Sequence, residues 1–450
     1  MASVGRTESS RLAEAYLDRY DPDGFLRFYD ALSEEFHLKA NPERVIPVSP
    51  VPLLLDRRWE EKFAGLVRLL WKVLCTEPYR RLSAQRVPRA LSGRFSGCEA
   101  GTIPFEASSS VGCLDLHLEG QEPRLIEFMV LPPGMVGIYP GLLERYAEHL
   151  ARLVPGCRIR AFREGQDRKS CEALMAAHII KGAGRVCRRF AIVDWEPGRQ
   201  ITYGEFLYTA DTVRARFGAE PVIADPREIV WRNGEVLVQG TPVDRVLNRL
   251  TLVDWLDHLD VLTDYTRVLR EAPALFVHHP HLWYLGDKAS LVMLSDDATL
   301  DVLGLEHEER QALRSLVPPT VYLADFAHSG PGGLDADRLF HRLGPPARMV
   351  LKPLSSHASK GVVYGPVDTP TVDEFRRVLA RIDPAQYVAM KLVAPPEIDV
   401  PRAGGIRETW KWDVRLFVLD GRFLFAGGRV YLGAFTNQTP CRAFAPLFFV

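Results

Sequence analysis

Apolar residues recur at helical spacing through residues 9–38 and 57–82. In "WEEKFAGLVRLLWKVL", Phe63, Leu66, Leu69, Leu70 and Leu74 fall three, four or one apart with charges between them, which predicts an amphipathic helix. The intervening "NPERVIPVSPVPLLL" (41–55) is broken by proline and cannot be helical. From about residue 110 the period changes to two. "VGCLDLHLEGQEPRLIEFMVLPPG" alternates, turns at "EGQEP" and alternates again, predicting a β-hairpin. "PGLLERYAEHLARL" then predicts a helix that opens on proline and stops before Pro155 and Gly156.

Between 189 and 262 the pattern reads strand, helix, strand, hairpin. "RFAIVDW" is a strand and "GEFLYTADTVRARFG" a helix closed by glycine. "EPVIAD" is a second strand, and "EIVWRNGEVLVQG" is a hairpin with Asn-Gly at its turn. A strand–helix–strand unit favours a parallel pair and an α/β region. "PVDRVLNRLTLVDWLDHLDVL" leads into another helix, followed by helical pieces at "GDKASLVMLSD" and "EHEERQALRSLVP". "RMVLKPLSSHASKGVVYG" (348–365) reads strand, loop, strand. After it come the helix "TVDEFRRVLARI", the strand "YVAMKLV" and an apolar C-terminal sheet. The chain divides into a helical N-terminal region (1–105), a hairpin and α/β region (106–285) and a third region of helices and strands (286–450).

A length of 450 residues exceeds one ordinary core, in keeping with that division. A formal net charge of -1 gives no global attraction to nucleic acid or an anionic membrane. No window reaches the roughly 18 apolar residues a membrane helix needs, and the N-terminus lacks the pattern of a signal peptide. Seven cysteines are scattered without a C-x-x-C pair, which predicts reduced thiols and a cytoplasmic protein.

Several kinds of chemistry drop out early. The chain has no G-x-x-x-x-G-K-[ST] loop and no G-x-S-x-G elbow. "HHPH" (278–281) has metal-binding residue types, but a proline in a turn splays such side chains, which argues against a metal role. Lys352 is more informative. It ends the apolar strand Met349–Val350–Leu351, where a charge is costly unless paired, and a loop of small residues follows it. Backbone amides of that loop can converge on an anion, with Lys360 and Gly361 extending the cradle; the alternative is a surface hairpin with a solvated lysine. Asp115 and Glu127 occupy the two arms of the first hairpin, where they can share one face as a divalent cation requires or stand as two solvated charges. Asp413, Arg415, Arg429 and Asn437 lie in a strongly β-forming stretch, suited to phosphate recognition or to ordinary cross-strand ion pairing.

The order of these features resembles an ATP-grasp ligase, and within it the glutathionylspermidine-synthase-like branch, across roughly residues 110–450. The carriers are the Asp…Glu hairpin, "GDKAS", "VLKP" with its loop, "YVAMKLVAPPEI" and "WDVRLFVLDGRFLFAGGRVYLGAFTN". The resemblance implies an ATP-grasp fold of α+β lobes preceded by a Rossmann-like α/β region. It also implies ATP and Mg2+, and amide-bond formation between the carboxylate of an amino acid and an amine through an acyl phosphate. Lys288 and Lys352 match the nucleotide lysines. Ser355, Ser356, Ser359 and Gly361 match the phosphate loop, and Met390, Lys391 and Val393 fall in the adenine-lining segment. Asp115 and Glu127 match the metal carboxylates, Arg429 the arginine facing the transferred phosphoryl group, Arg415 a second phosphate contact and Asn437 a C-terminal position near the site. Arg249, outside those motifs, is a candidate clamp for a substrate carboxylate. The sequence departs from the family at Met129, where asparagine is usual, at Met390–Lys391, where Gln-Glu is usual, and at Cys113, where arginine is frequent. Those departures admit two alternatives: a catalytically weakened ATP-binding protein, or a kinase that stops at the acyl phosphate. Small-molecule amino acids and amines are the expected partners, with neither nucleic acid nor membrane.

Overall fold

The computed structural model describes residues 7–91, 111–130, 133–180, 186–327, 335–354, 360–402, 406–434 and 442–450, with backbone alone at 86–91 and 281. The N-terminal window forms helices α1 (Glu8–Leu17) and α2 (Pro22–Phe36), split where Asp21 accepts from the amides of Asp23 and Gly24 and caps α2 ahead of Pro22. Helices α3 (Arg58–Cys75) and α4 (Glu77–Leu91) follow. The proline-broken connector is not helical, but its end forms a short strand, β1 (Leu53–Leu55). The predicted hairpin is β2 (Val111–Glu119) and β3 (Glu122–Met129), and the predicted helix after it is α5 (Tyr139–Leu153).

Helix α6 (Arg168–Ile180) leads into a parallel sheet. Strand β4 (Arg189–Val193), helix α7 (Tyr203–Phe217) and strand β5 (Glu220–Ala224) form the expected unit, its strands parallel. The hairpin β6 (Ile229–Arg232) and β7 (Glu235–Val238) turns at Asn233 and Gly234, both at positive φ, as a tight two-residue turn demands. Strand β8 (Thr241–Pro242) extends it. Strand β9 (Arg245–Asn248) was not expected, because "RVLN" runs straight into a helical pattern that masks it. Helices α8 (Leu252–Asp257) and α9 (Thr263–Glu271) precede strand β10 (Phe276–Val277), giving a parallel sheet of order β10-β9-β4-β5. His278 and His279 are buried; His278 Nε2 accepts from the Val111 amide and His279 Nε2 bonds the Leu269 carbonyl, so both act as core histidines.

Helices α10 (Lys288–Ser295), α11 (Asp297–Val302) and α12 (His307–Leu316) lead to strand β11 (Thr320–Tyr322). After helix α13 (Ala336–Leu343) come strands β12 (Met349–Pro353) and β13 (Val363–Tyr364). Helices α14 (Gly365–Asp368) and α15 (Val372–Leu379) and strand β14 (Tyr387–Lys391) complete a four-stranded sheet, order β11-β14-β12-β13. Strands β15 (Glu397–Pro401), β16 (Arg407–Leu419), β17 (Arg422–Tyr431) and β18 (Arg442–Phe449) belong to a seven-stranded sheet of order β1-β18-β17-β16-β2-β3, with β15 also on β16. This sheet takes strands from all three stretches into which the sequence divides. The hairpin pairs with β16, and β1 runs parallel to β18 with Leu53 opposite Leu447.

Close packing against β17 depends on glycine. A Cβ on Gly428 would collide with the Asp413 carbonyl oxygen and with Leu53. The Tyr139 hydroxyl also donates to the Gly428 carbonyl at 2.9 Å. Gly428→Ala is therefore expected to destabilise the protein by roughly 1–3 kcal/mol, read as a lower urea midpoint at unchanged slope.

Candidate functional site

Strand register assembles the site. Asp115 on β2 lies opposite Glu127 on β3 and, on its other side, opposite Arg415 on β16; Asp413 on β16 lies opposite Arg429 on β17. Because side chains alternate along a strand, Asp413 and Arg415 share a face, and their cross-strand partners join them. Arg415 grips Asp115 with two parallel bonds, Nε to Oδ1 and Nη2 to Oδ2, both 2.7 Å. Arg429 reaches Asp115 Oδ2 with Nη2 at 2.8 Å and binds Asp413 through its backbone amide, Nε and Nη2. Fork-shaped bonding of this kind is the geometry guanidinium and carboxylate groups match best.

Two lysines approach the same stripe from other elements. Lys288 is the first residue of α10, whose N-cap Asp287 accepts from the Ser290 amide; its Nζ is 3.0 Å from Glu127 Oε1. Lys352, the fourth residue of β12 in the smaller sheet, donates from Nζ to the Ile126 carbonyl at 2.6 Å. The structure thus brings Lys288, Lys352, Glu127, Asp115, Arg415 and Arg429 together where the two sheets face each other.

The electrostatics follow from burial and pairing. Burial alone would raise the Asp115 carboxyl, but Arg415 and then Arg429 outweigh it and hold the group down at about 2. Burial likewise opposes ionisation of Glu127, while Lys288 and Lys352 reverse the balance and lower its pKa. Lys352 goes the other way: loss of solvent, only partly offset by Glu127, pushes its ammonium down to about 8.

The cation-binding expectation meets a donor set that fits it poorly. Both Asp115 oxygens are engaged by arginine, and the side chain is 1 % exposed. The residue two beyond Glu127 is Met129, whose thioether is a poor ligand for a hard cation. Among the described residues no group of three or more His, Cys, Asp or Glu side chains is placed to hold a metal ion. Glu127 alone of the pair remains accessible, its side chain 37 % exposed.

The other sequence candidates fall less centrally. Gly361 takes a positive φ of 71°, and its carbonyl accepts from the Tyr387 hydroxyl. Ser355, Ser356, Ser359 and Asn437 lie outside the described residues. The Met390 side chain is buried in the smaller sheet, opposite Val350 and Thr320, while Lys391 is exposed. The Lys391 amide donates to the Pro319 carbonyl, and the Val393 carbonyl takes a 2.9 Å bond from His117 Nδ1. Arg249 ends its strand away from the charged stripe. Its guanidinium is buried against Glu205 at 3.5 Å and bonds the Pro133 carbonyl at 3.3 Å, while Glu205 also accepts from the Met135 and Gly137 amides. Arg249 thus props the 133–137 loop and, with Glu205, Gly137 and His278, lines an internal cavity.

Asp413, for which the sequence left cross-strand ion pairing open, is the second counter-ion of Arg429. Two other residues were not singled out from the sequence. His117 ties the hairpin to the 387–393 segment. Asp194, just past β4, has a carboxyl that burial pushes up to about 7.

No protein-family model matches the sequence, and no curated protein matches it. Among solved structures, the chain is similar in fold to a glutathione synthetase-like effector from Globodera pallida in its apo form. The TM-score is 0.55 at 11% identity, over 99% of this chain and 98% of that one. A candidate gamma-glutamylcysteine synthetase from Methylobacillus flagellatus aligns at 10% identity over 81% of this chain and 84% of that one, with a TM-score of 0.37, too low to carry an argument. The first similarity shows the fold alone: a mixed α/β architecture shared with that glutathione synthetase-like effector.

Proposed function

We propose that the protein is an ATP-dependent carboxylate–amine ligase, forming an amide bond on an amino acid and releasing ADP and phosphate. One observation carries this reading: Lys288 and Lys352, from different elements, converge on β3 beside two arginines held in fixed orientation. Two lysines and two arginines, set among the carboxylates of Glu127, Asp115 and Asp413, suit a polyphosphate. The nucleotide would lie between the two sheets, its base toward the 387–393 segment. The acid's carboxylate oxygen attacks the γ-phosphorus as ADP leaves, and the amine then attacks the acyl carbon and releases phosphate. Lys288, Lys352, Arg415 and Arg429 offset charge on the phosphoryl oxygens; the protein contributes position and charge rather than covalent chemistry. The partners would be small molecules and the setting the cytoplasm, in keeping with free thiols at Cys75, Cys113, Cys157, Cys171 and Cys187.

Incubation with ATP, Mg2+ and pooled amino acids is expected to give ADP, phosphate and a condensed mass in equal amounts. ATP consumption that needs the acid but no amine would mark a kinase stopping at the acyl phosphate. A second reading, a nucleotide-binding protein without catalysis, is favoured by the arginine-saturated Asp115 and by Met129. Under it ATP binds without turnover, and Met129→Asn creates activity.

The lysine chemistry adds a pH dependence. A lysine is charged below its pKa, so Lys352, at about 8, attracts phosphate fully at pH 7 and loses its charge as pH rises. ATP affinity is expected to weaken above pH 8, by at most about tenfold per pH unit. Lys352→Arg should flatten the profile, because arginine stays charged throughout. Titrations between pH 6.5 and 9.5 check this; an unchanged wild-type dissociation constant would exclude Lys352 from the phosphate site.

A further inference from the structure

Asp115 and Glu127 are register partners, but they differ in what they can do. Asp115 spends Oδ1 on Arg415 Nε and Oδ2 on Arg415 Nη2 and Arg429 Nη2, at 2.7–2.8 Å, deep in the sheet. A cation that claimed those oxygens would break three charge-assisted bonds and strip two buried guanidiniums of a shared counter-ion, the situation in which a buried pair is most costly to disrupt. Glu127 is more exposed, and its Oε1 pairs with Lys288. The arginine bonds have a second consequence. They engage Nε and Nη2 of both side chains and leave Nη1 of each out of the network. Asp115 and Asp413 thus hold both guanidiniums in fixed orientation, with Arg429 Nη2 shared between the two carboxylates.

We propose that Asp115 is a positioning residue for Arg415 and Arg429 and not a cation ligand; the proposal stands on the ion network alone.

The test is ATP affinity in EDTA and in excess Mg2+ for the wild type and Asp115→Asn. Asp115→Asn should shift both constants by a common factor, keeping their ratio within about twofold of the wild-type ratio. A ratio that collapses to about one in Asp115→Asn overturns the proposal.

A second measurement needs no Asp115 variant. In 15N-arginine-labelled wild-type protein, the Arg415 Nε–H resonance, assigned by its loss in Arg415→Lys, should stay protected from exchange when Mg2+ is added. Loss of protection would return Asp115 to the cation. If no ATP binds in either buffer, the nucleotide reading falls, while this resonance still decides Asp115.

Discussion

Lys352→Ala is expected to weaken ATP binding by roughly 10- to 100-fold, the consequence of losing one charge-assisted hydrogen bond to phosphate. Turnover at fixed ATP should fall with it. The variant should fold, because Lys352 is a desolvated ammonium whose pKa of about 8 records that its charge is disfavoured where it sits. Removing such a charge leaves the Ile126 carbonyl, its partner at 2.6 Å, without a donor, a smaller cost than an orphaned ion. Calorimetric titration with ATP, beside a thermal melt, separates the effects. Loss of affinity with an unchanged melting temperature is the expected result; full affinity would mean the phosphates bind elsewhere. Lys288→Ala should behave differently, since it also strips Glu127 of its ion partner.

Asp413→Ala is expected to destabilise the fold by roughly 3–5 kcal/mol, the cost of breaking a buried ion pair from one side. Asp413 is fully buried, and it receives the Arg429 backbone amide as well as the guanidinium. Without it, Arg429 shares the single Asp115 carboxylate with Arg415. Urea unfolding should show a lower midpoint. Asp413→Ala combined with Arg429→Met should cost less than the sum of the single changes, because the orphaned charge is then gone. A loss below about 1 kcal/mol in Asp413→Ala would show that solvent reaches the network and screens it. Acid should reveal the same network. The Asp115 pKa is depressed from 3.8 to about 2, so its contribution is complete above its unfolded value and is lost as pH falls through that interval.

What could be read from the sequence was local. Alternation over 111–129 was enough for the hairpin, Asn233-Gly234 for a tight turn, and the apolar run before Lys352 for a strand ending in a charge. These features depend on neighbours in the chain, which a pattern records. Partnerships between strands distant in sequence do not leave such a trace. That Asp115 would be claimed by Arg415, 300 residues away, and Arg429, 314 away, depends on β2 pairing with β16, which no periodicity encodes. The pairing of β1 with β18 and the bond from His117 to Val393 were hidden for the same reason. Arg249 shows the converse. A lone arginine near the end of an α/β unit looks available in sequence, yet its fate was set by Glu205, a buried acid on α7.

The most direct test of the central claim is hydrogen–deuterium exchange with and without ATP, followed peptide by peptide. If ATP sits between the two sheets, protection should rise together at 123–130, 286–295, 349–354 and 387–395, stretches distant in sequence that Lys288, Lys352 and the β12–β14 pairing bring together. Binding without protection there, or protection confined to other stretches, would contradict the account.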